Sequence, residues 1–349
     1  MVSPRLLSLV RCPDCRGSLD ASSGADTNAR VLVCRGCGRT YEAHGADYLD
    51  LRPRDRFAEQ TKYLDEALHA DARHERVSPP LLGSKIRNDM LRAFLRPGPA
   101  DTVVDLGCGS GRALLWNRDW GAASVGVDIS PYFSAEARRE VDLLLADLRK
   151  LPFADGTFTR AYSLDVLEHL SPDALAGMLA EAARVLAPGG SLFVYTHVRR
   201  NAAIAKGLRA INRLAEWLDR RGLVDLRQEH LRKSDHVNPL RDIPHLEEVV
   251  SRAGFRIARI RFYTPIVGGF VENVLVRLAE RALARRAAKG AGVRAIRAAR
   301  AAAKQQIARR GPTYWALRFV SFVMKLDLLL FGRITSGPFF ALLEKTDER

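Results

Sequence analysis

Apolar and polar positions change their period several times along the chain, and these changes divide it. Residues 102–106, 123–128, 141–146, 158–164 and 190–196 are short apolar runs rich in branched side chains, the pattern of strands covered on both faces. Helical segments separate them, so the order predicts a parallel, doubly wound α/β sheet, with ligands at the carboxyl ends of its strands. Before the first strand, residues 54–95 read as polar linker and helices, broken at Pro79-Pro80, with IRNDMLRAFL (86–95) amphipathic. After the fifth, RRNAAIAKGLRAINRLAEWLDRRGL (199–223) predicts a helix with Ile204, Leu208, Ile211, Leu214 and Leu218 on one face.

Four of the five cysteines form two pairs ahead of this pattern, CPDC (Cys12, Cys15) and CRGC (Cys34, Cys37), with eighteen residues between them. That is the spacing of a structural four-thiolate zinc site, with disulfides as the alternative, and zinc supplies folding energy to a segment short of large apolar side chains. Four thiolates leave no open position for catalysis. The segment from LVRCPDC to ADYLDLRP resembles the small zinc-ribbon proteins that activate tRNA and protein methyltransferases. It is also similar to the zinc knuckle of rRNA guanine methyltransferases, which end the set with histidine where this chain has Cys37.

The first strand runs into VVDLGCGSGR (103–112), where Asp105 is followed by Gly107, Gly109 and Gly111. Three glycines at alternate positions strip the turn of Cβ atoms and let a ligand approach the backbone. The pattern lacks the third glycine of the G-x-G-x-x-G dinucleotide turn. The second strand ends in Asp128, whose carboxylate can accept both hydroxyls of a ribose, and the third in Asp147, placed to accept from an adenine amino group. Each of these residues also has a plain reading, a turn glycine or, for Asp128, the cap of a helix near Pro131. Cys108 reads as a small filler.

VVDLGCGSGR, VGVDIS, ADLRKLPFADGTFTRAYSLDVLEHL and ARVLAPGGSLFV together resemble the successive motifs of class I S-adenosylmethionine-dependent methyltransferases (the type 11 group), over roughly residues 84–265. The resemblance implies a seven-stranded Rossmann-like methyltransferase sheet, with PLRDIPHLEEVVSRAGF (239–255) as the helix before a sixth strand, RIARIRFYTP, and SGPFFALLEK (336–345) as an antiparallel seventh. It implies S-adenosylmethionine held by Asp105, Gly107, Gly109 and Gly111, by Asp128 and Ile129, by Asp147 and Leu148, and by Asp165. The domain map that follows is a zinc ribbon (1–53), linker and helices (54–100), methyltransferase core (101–265, with a helical insert at 199–235), a basic and aromatic helical insertion (266–335), and the last strand with the tail (336–349).

SLDVLEHL (163–170) has two readings. In one, Leu167 and Leu170 are core and Glu168 or His169 caps the helix starting at Ser171-Pro172. In the other, Asp165, Glu168 and His169 hold Mg²⁺ or Mn²⁺, similar to the metal sets of quinone O-methyltransferases and small-RNA 2′-O-methyltransferases. His197, past the fifth strand, is a fourth ligand or a general base, and His169 and His197 are the catalytic candidates. A base matters mainly for a hydroxyl acceptor, because the sulfonium is already an activated methyl donor.

Charge changes the picture in one place. The net charge is +15, yet residues 199–310 carry 26 Lys plus Arg against 10 Asp plus Glu, so the rest of the chain is near neutral. From Arg277 to Arg310 there are eleven basic residues and one acid, followed by YWALRFVSFVMKLDLLLF. Arg277, Arg281 and Arg285, then Arg294, Arg297, Arg300 and Lys304, make cationic helix faces. This insertion reads as a solvated lid, as a contact with anionic membrane through Trp315, Phe319, Phe322 and Leu326, or as a grip on RNA. The expected acceptor is a small or lipid-linked metabolite, with RNA (rRNA or tRNA) as the alternative and a non-enzymatic scaffold as a third. The start of the chain has no long apolar run, and 314–331 is interrupted by Arg318, Lys325 and Asp327, so the expected place is cytoplasmic, peripheral at the inner membrane face if the lipid reading holds.

Overall fold

Eleven strands form one sheet in the order β1-β2-β3-β4-β7-β6-β5-β8-β9-β11-β10. They are β1 (Leu19–Ser23), β2 (Arg30–Cys34), β3 (Thr40–His44), β4 (Tyr48–Asp50), β5 (Thr102–Leu106), β6 (Ala123–Asp128), β7 (Asp142–Leu145), β8 (Phe158–Leu164), β9 (Leu186–His197), β10 (Phe255–Phe262) and β11 (Pro338–Lys345). The computed structural model describes residues 2–23, 30–44, 47–53, 77–199, 205–224, 226, 236–279 and 310–346.

The seven strands expected of the core are β5 to β11. β5, β6, β7, β8 and β9 pair in parallel, whereas β11 runs antiparallel between β9 and β10. β5 sits between β6 and β8, so the chain reverses its winding there and opens a crevice above the strand's carboxyl end. The sheet is longer than seven strands. β4 pairs parallel with β7, Leu49 opposite Leu144 and Asp50 opposite Leu145, and β3, β2 and β1 extend it antiparallel. A core ending at β7 would leave a row of unpaired backbone groups, and the ribbon covers that edge.

Ribbon and core share one interior. Leu6, Val10, Leu32, Tyr41, Leu49 and Leu51 are buried in the same apolar cluster as Val104, Leu106, Val127, Leu144 and Phe153. Ser3 ties them by polar contacts: its Oγ accepts from Leu6 N to cap helix Pro4–Leu9 and donates to Asp142 Oδ2 at 2.6 Å, while its N–H donates to Asp142 Oδ1 at 3.0 Å. Arg11 N–H donates to the Pro152 carbonyl at 2.8 Å beside a Val10–Phe153 bridge.

Helix Leu82–Leu95 precedes β5 and buries Ile86, Leu91, Phe94 and Leu95. Helix Pro172–Val185 starts at Ser171-Pro172, as the sequence suggests, but its cap is the Ser171 hydroxyl, which accepts from Ala174 N. Asp128 does not cap a helix at Pro131, because that helix begins at Ala135 on Ser134. Helices Ala205–Arg220 and Ile243–Arg252 occupy two further expected positions. Pro312–Met324 and Leu326–Phe331 form the aromatic part of the insertion. Its basic run from Arg281 to Lys304 lies outside the described residues. Among the described residues no helix is long and apolar enough to cross a membrane.

Candidate functional site

The loop after β5 is bent as its glycines require. Gly107, Gly109 and Gly111 have φ of +86°, +53° and +79°. A Cβ on Gly107 would overlap the Val166 side chain, and one on Gly111 would lie 2.6 Å from Ala137 Cβ, whereas at Gly109 it would meet nothing within 4 Å. Gly107 and Gly111 therefore serve close packing of the loop, and the open side of Gly109 faces the crevice. Gly107→Ala should cost about 2–4 kcal/mol, from the left-handed backbone plus the overlap, read as a lower urea midpoint.

Asp128 ends β6 and holds this loop. Its Oδ2 accepts from Gly109 N at 2.7 Å, and its Oδ1 accepts from Ser130 N at 2.9 Å and Ser130 Oγ at 3.0 Å. Burial pushes its carboxyl above the ordinary range, against these hydrogen bonds. A carboxylate offers about four acceptor positions. The Ile129 N–H also acts on this carboxylate, so a ribose reaching Asp128 would share oxygens already hydrogen-bonded within the loop, where the sequence suggests two free acceptors. Ile129 beside it is half-buried. Asp105 is buried beneath the loop, and desolvation raises its carboxyl well above the usual range. The Cys108 thiol is likewise raised by burial, which fits the small-filler reading.

Asp147, after β7, is buried and clamped. Its Oδ1 accepts from Arg149 N and Nε at 2.8 and 2.9 Å, and its Oδ2 from Arg149 Nη2 at 2.9 Å. The fork fixes the carboxylate's plane and leaves a position on Oδ2 for an amino donor. Leu148 packs on the core beside it.

In the stretch after β8, Leu167 is buried in the core and Leu170 packs against it, as the first reading has it, but the capping role and the metal set do not form. Asp165 has φ +56°, so the chain turns sharply and sends its exposed carboxylate to Arg87 Nε, 3.3 Å away on helix Leu82–Leu95. Glu168 is buried and accepts from Thr196 Oγ1 at 2.9 Å, which replaces the capping role. Among the described residues Glu168 and His169 gather with His236, their ligand atoms within 4.8 Å of one another, and Asp165 is not part of the group. The Asp165, Glu168, His169 set for Mg²⁺ or Mn²⁺ is thus not assembled, and two imidazoles with one carboxylate oxygen are a poor match for such hard cations. The His236 ring lies 4.6 Å from His169 and 5.4 Å from His197, so three imidazoles line the crevice where β8 and β9 end. Arg87 and His236 carried no signal in the sequence, since each reaches the site through a tertiary contact, whereas Arg149 clamps Asp147 from two residues away.

Burial, with the Asp165 charge second, raises the Glu168 carboxyl from its ordinary 4.5 to about 7. The folded chain then holds this proton more tightly than the unfolded chain, so the contribution is whole below about pH 4.5 and is lost as pH rises toward 7. That window is worth roughly 3 kcal/mol. Urea midpoints at pH 5 and 8 should fall with pH for the wild type by this amount relative to Glu168→Gln, which carries no such proton.

At the other end of the sheet the four ribbon sulfurs also lie within 4.8 Å of one another, Cys12 Sγ 3.7 Å from Cys37 Sγ and Cys15 Sγ 3.4 Å from Cys34 Sγ. Each knuckle has a glycine against the cluster: a Cβ on Gly17 would stand 3.0 Å from Cys34 Sγ, and one on Gly36 3.2 Å from Cys15 Sγ. Burial opposes ionisation of Cys34, but the backbone N–H groups of Cys37 and Gly36 bring its thiol down to about 7. A compact four-sulfur set with glycines packed against it fits zinc.

Comparison with known proteins agrees with both regions. A methyltransferase domain matches residues 104–194, and a Trm112p-like protein matches residues 3–42. Sterol 4-C-methyltransferase strm-1 of Caenorhabditis elegans is 36% identical over 108 residues, 28% of this chain and 31% of that protein. A probable tRNA methyltransferase 9B of Mus musculus is 34% identical over 108 residues, 30% and 24% of the two chains. Among solved structures, a complex of the Haloferax volcanii Trm112 methyltransferase activator with a methyltransferase aligns over 58% of this chain and 80% of that one, at 23% identity and a TM-score of 0.41. The chain spans about a quarter to a third of the length of these two curated relatives.

Proposed function

We propose that this chain, with its methyltransferase domain at residues 104–194 behind a Trm112p-like zinc ribbon, transfers a methyl group from S-adenosylmethionine to a hydroxyl on a small or lipid-linked acceptor. The observation that carries the reading is the crevice above β5: an open-faced Gly109 between two pinned glycines, with Asp128 at the end of β6 and Asp147 just past β7. In this reading Asp128 accepts from a ribose hydroxyl, Asp147 from the adenine amino group, and Gly107 to Gly111 leave room for the amino-acid part. Asp105, Ile129, Leu148 and Asp165 border the same volume.

The donor supplies an already activated methyl on its sulfonium. The remaining task is to place the acceptor oxygen in line and take its proton. His169 and His197 are the proposed bases, with His236 against both, since a neutral imidazole can accept a hydroxyl proton. The printed names of the relatives include a sterol and a tRNA enzyme, and the Trm112p-like segment favours RNA as the second reading.

The test is to incubate cell extract with the enzyme and methyl-labelled donor, then to partition the product. Label in the butanol-soluble fraction supports the first reading. Label in acid-precipitable, ribonuclease-sensitive material replaces it with the second. No incorporation with any fraction, while the donor still binds, rejects transfer in favour of a binding module.

A further inference from the structure

The helices Pro312–Met324 and Leu326–Phe331 carry large apolar residues on their outward side as well as on the side packed against the core. Their inward side buries Tyr314, Met324 and Leu328 and is anchored by two polar groups. The buried Ser321 hydroxyl accepts from Leu82 N at 2.7 Å, and the buried Asp327 carboxylate accepts from Val267 N and Gly268 N at 2.9 and 2.8 Å. Lys325 pairs with Asp89. The outward side is apolar: Trp315, Phe319, Phe322, Leu329 and Leu330 are 57%, 67%, 67%, 74% and 62% exposed. Positions 315, 319, 322, 326, 329 and 330 follow helical spacing, so they form one stripe. Isolated exposed apolar residues are ordinary, but a stripe of large ones held outward by polar anchors marks a contact surface.

The charges around the stripe say what it contacts. From Arg310 to Ser336 the sequence has four basic residues and one acid, and that acid is the inward Asp327. Arg310, Arg318 and Arg333 are exposed along the stripe, with the Arg318 guanidinium 5.3 Å from the Trp315 ring. A second copy would bring like charges together, and a neutral apolar partner would have no use for them. An anionic phospholipid bilayer matches both features, taking aromatic and leucine side chains among its acyl chains and headgroups and pairing arginines with phosphates. We propose that this helix pair docks the protein on the surface of an anionic membrane. The surface goes beyond the methyl-transfer reading and does not depend on it. Helix Leu82–Leu95 connects the two regions, bonded to Ser321 through Leu82 and to Asp165 through Arg87.

The zinc-loaded full chain is sedimented with phosphatidylcholine vesicles, with and without about 30% phosphatidylglycerol. Most of the protein should pellet with the anionic vesicles, little with the neutral ones, and added salt should release it. Phe319→Ser with Phe322→Ser, and separately Leu329→Ser with Leu330→Ser, should each lower the partition coefficient about tenfold or more while thermal midpoint and donor binding hold. The proposal is overturned by absence of pelleting, by equal pelleting of wild type and variants, by a dimer in sedimentation velocity that the variants dissolve, or by a wild-type RNA gel shift that they weaken without changing vesicle binding. Failure of donor binding in calorimetry would overturn the methyl-transfer reading and leave this one standing.

Discussion

Asp128→Ala should weaken S-adenosylmethionine binding about 100-fold in equilibrium dialysis. The carboxylate does two things at once. In the proposed reading it accepts from the ribose, and it pins the glycine loop through Gly109 N, with Ser130 on the other oxygen. Hydrogen bonds to a charged group are worth about 1.5–3 kcal/mol each, and two at the lower figure amount to about a hundredfold. Ser130→Ala removes one hydroxyl donor to Oδ1 and leaves Oδ2 as it is, so its effect should stay below about tenfold. Equal losses in the two variants would mean that the acid acts only through the loop's fold.

Stripping the zinc should lower the thermal midpoint of the whole chain by about 10 °C or more, in a single transition. Structural four-thiolate sites hold zinc with apparent free energies of about 10–16 kcal/mol, all of it linked to folding. Here the consequence cannot stay in the ribbon. Cys12 and Cys34 are buried in the cluster that also contains Leu144, Phe153 and Val127, and β4 completes the edge of β7. Cys12→Ser should reproduce most of the loss, since it also breaks the 2.9 Å contact of Cys12 Sγ with the Tyr41 hydroxyl. Differential scanning calorimetry with a zinc-chelator dye decides it. A small early transition with the main one unmoved would show a ribbon that folds apart from the core.

What could be seen in the sequence and what could not follow from where each feature gets its energy. The strands β5, β6 and β8 and the start of helix Pro172–Val185 come from local pattern and local capping, so apolar runs and Ser171-Pro172 announce them. The cysteine pairs announce their cluster because metal geometry dictates their spacing. β4 is different: a three-residue strand has too little pattern to say which edge it joins, and only the vacant side of β7 decides. The acid set after β8 misled for a similar reason. Three acceptors spaced as if on one helical turn are expected to converge, but the left-handed backbone at Asp165 breaks the turn and Arg87 draws that carboxylate away. His236 joins His169 and His197 from a segment distant in sequence, and no local period connects them.

The stripe on Pro312–Met324 shows the converse. Its aromatic spacing was legible, yet the same spacing would serve a buried face or an exposed one. Burial of Ser321 and Asp327 on the opposite side settles which way it turns.

The claim on which the functional reading rests is that the crevice above β5 holds an adenosyl sulfonium. Calorimetric titration of the zinc-loaded chain with S-adenosylmethionine measures that directly. The account predicts saturable heat at one site per chain, displaced by S-adenosylhomocysteine; a flat titration with folded, zinc-replete protein would contradict it.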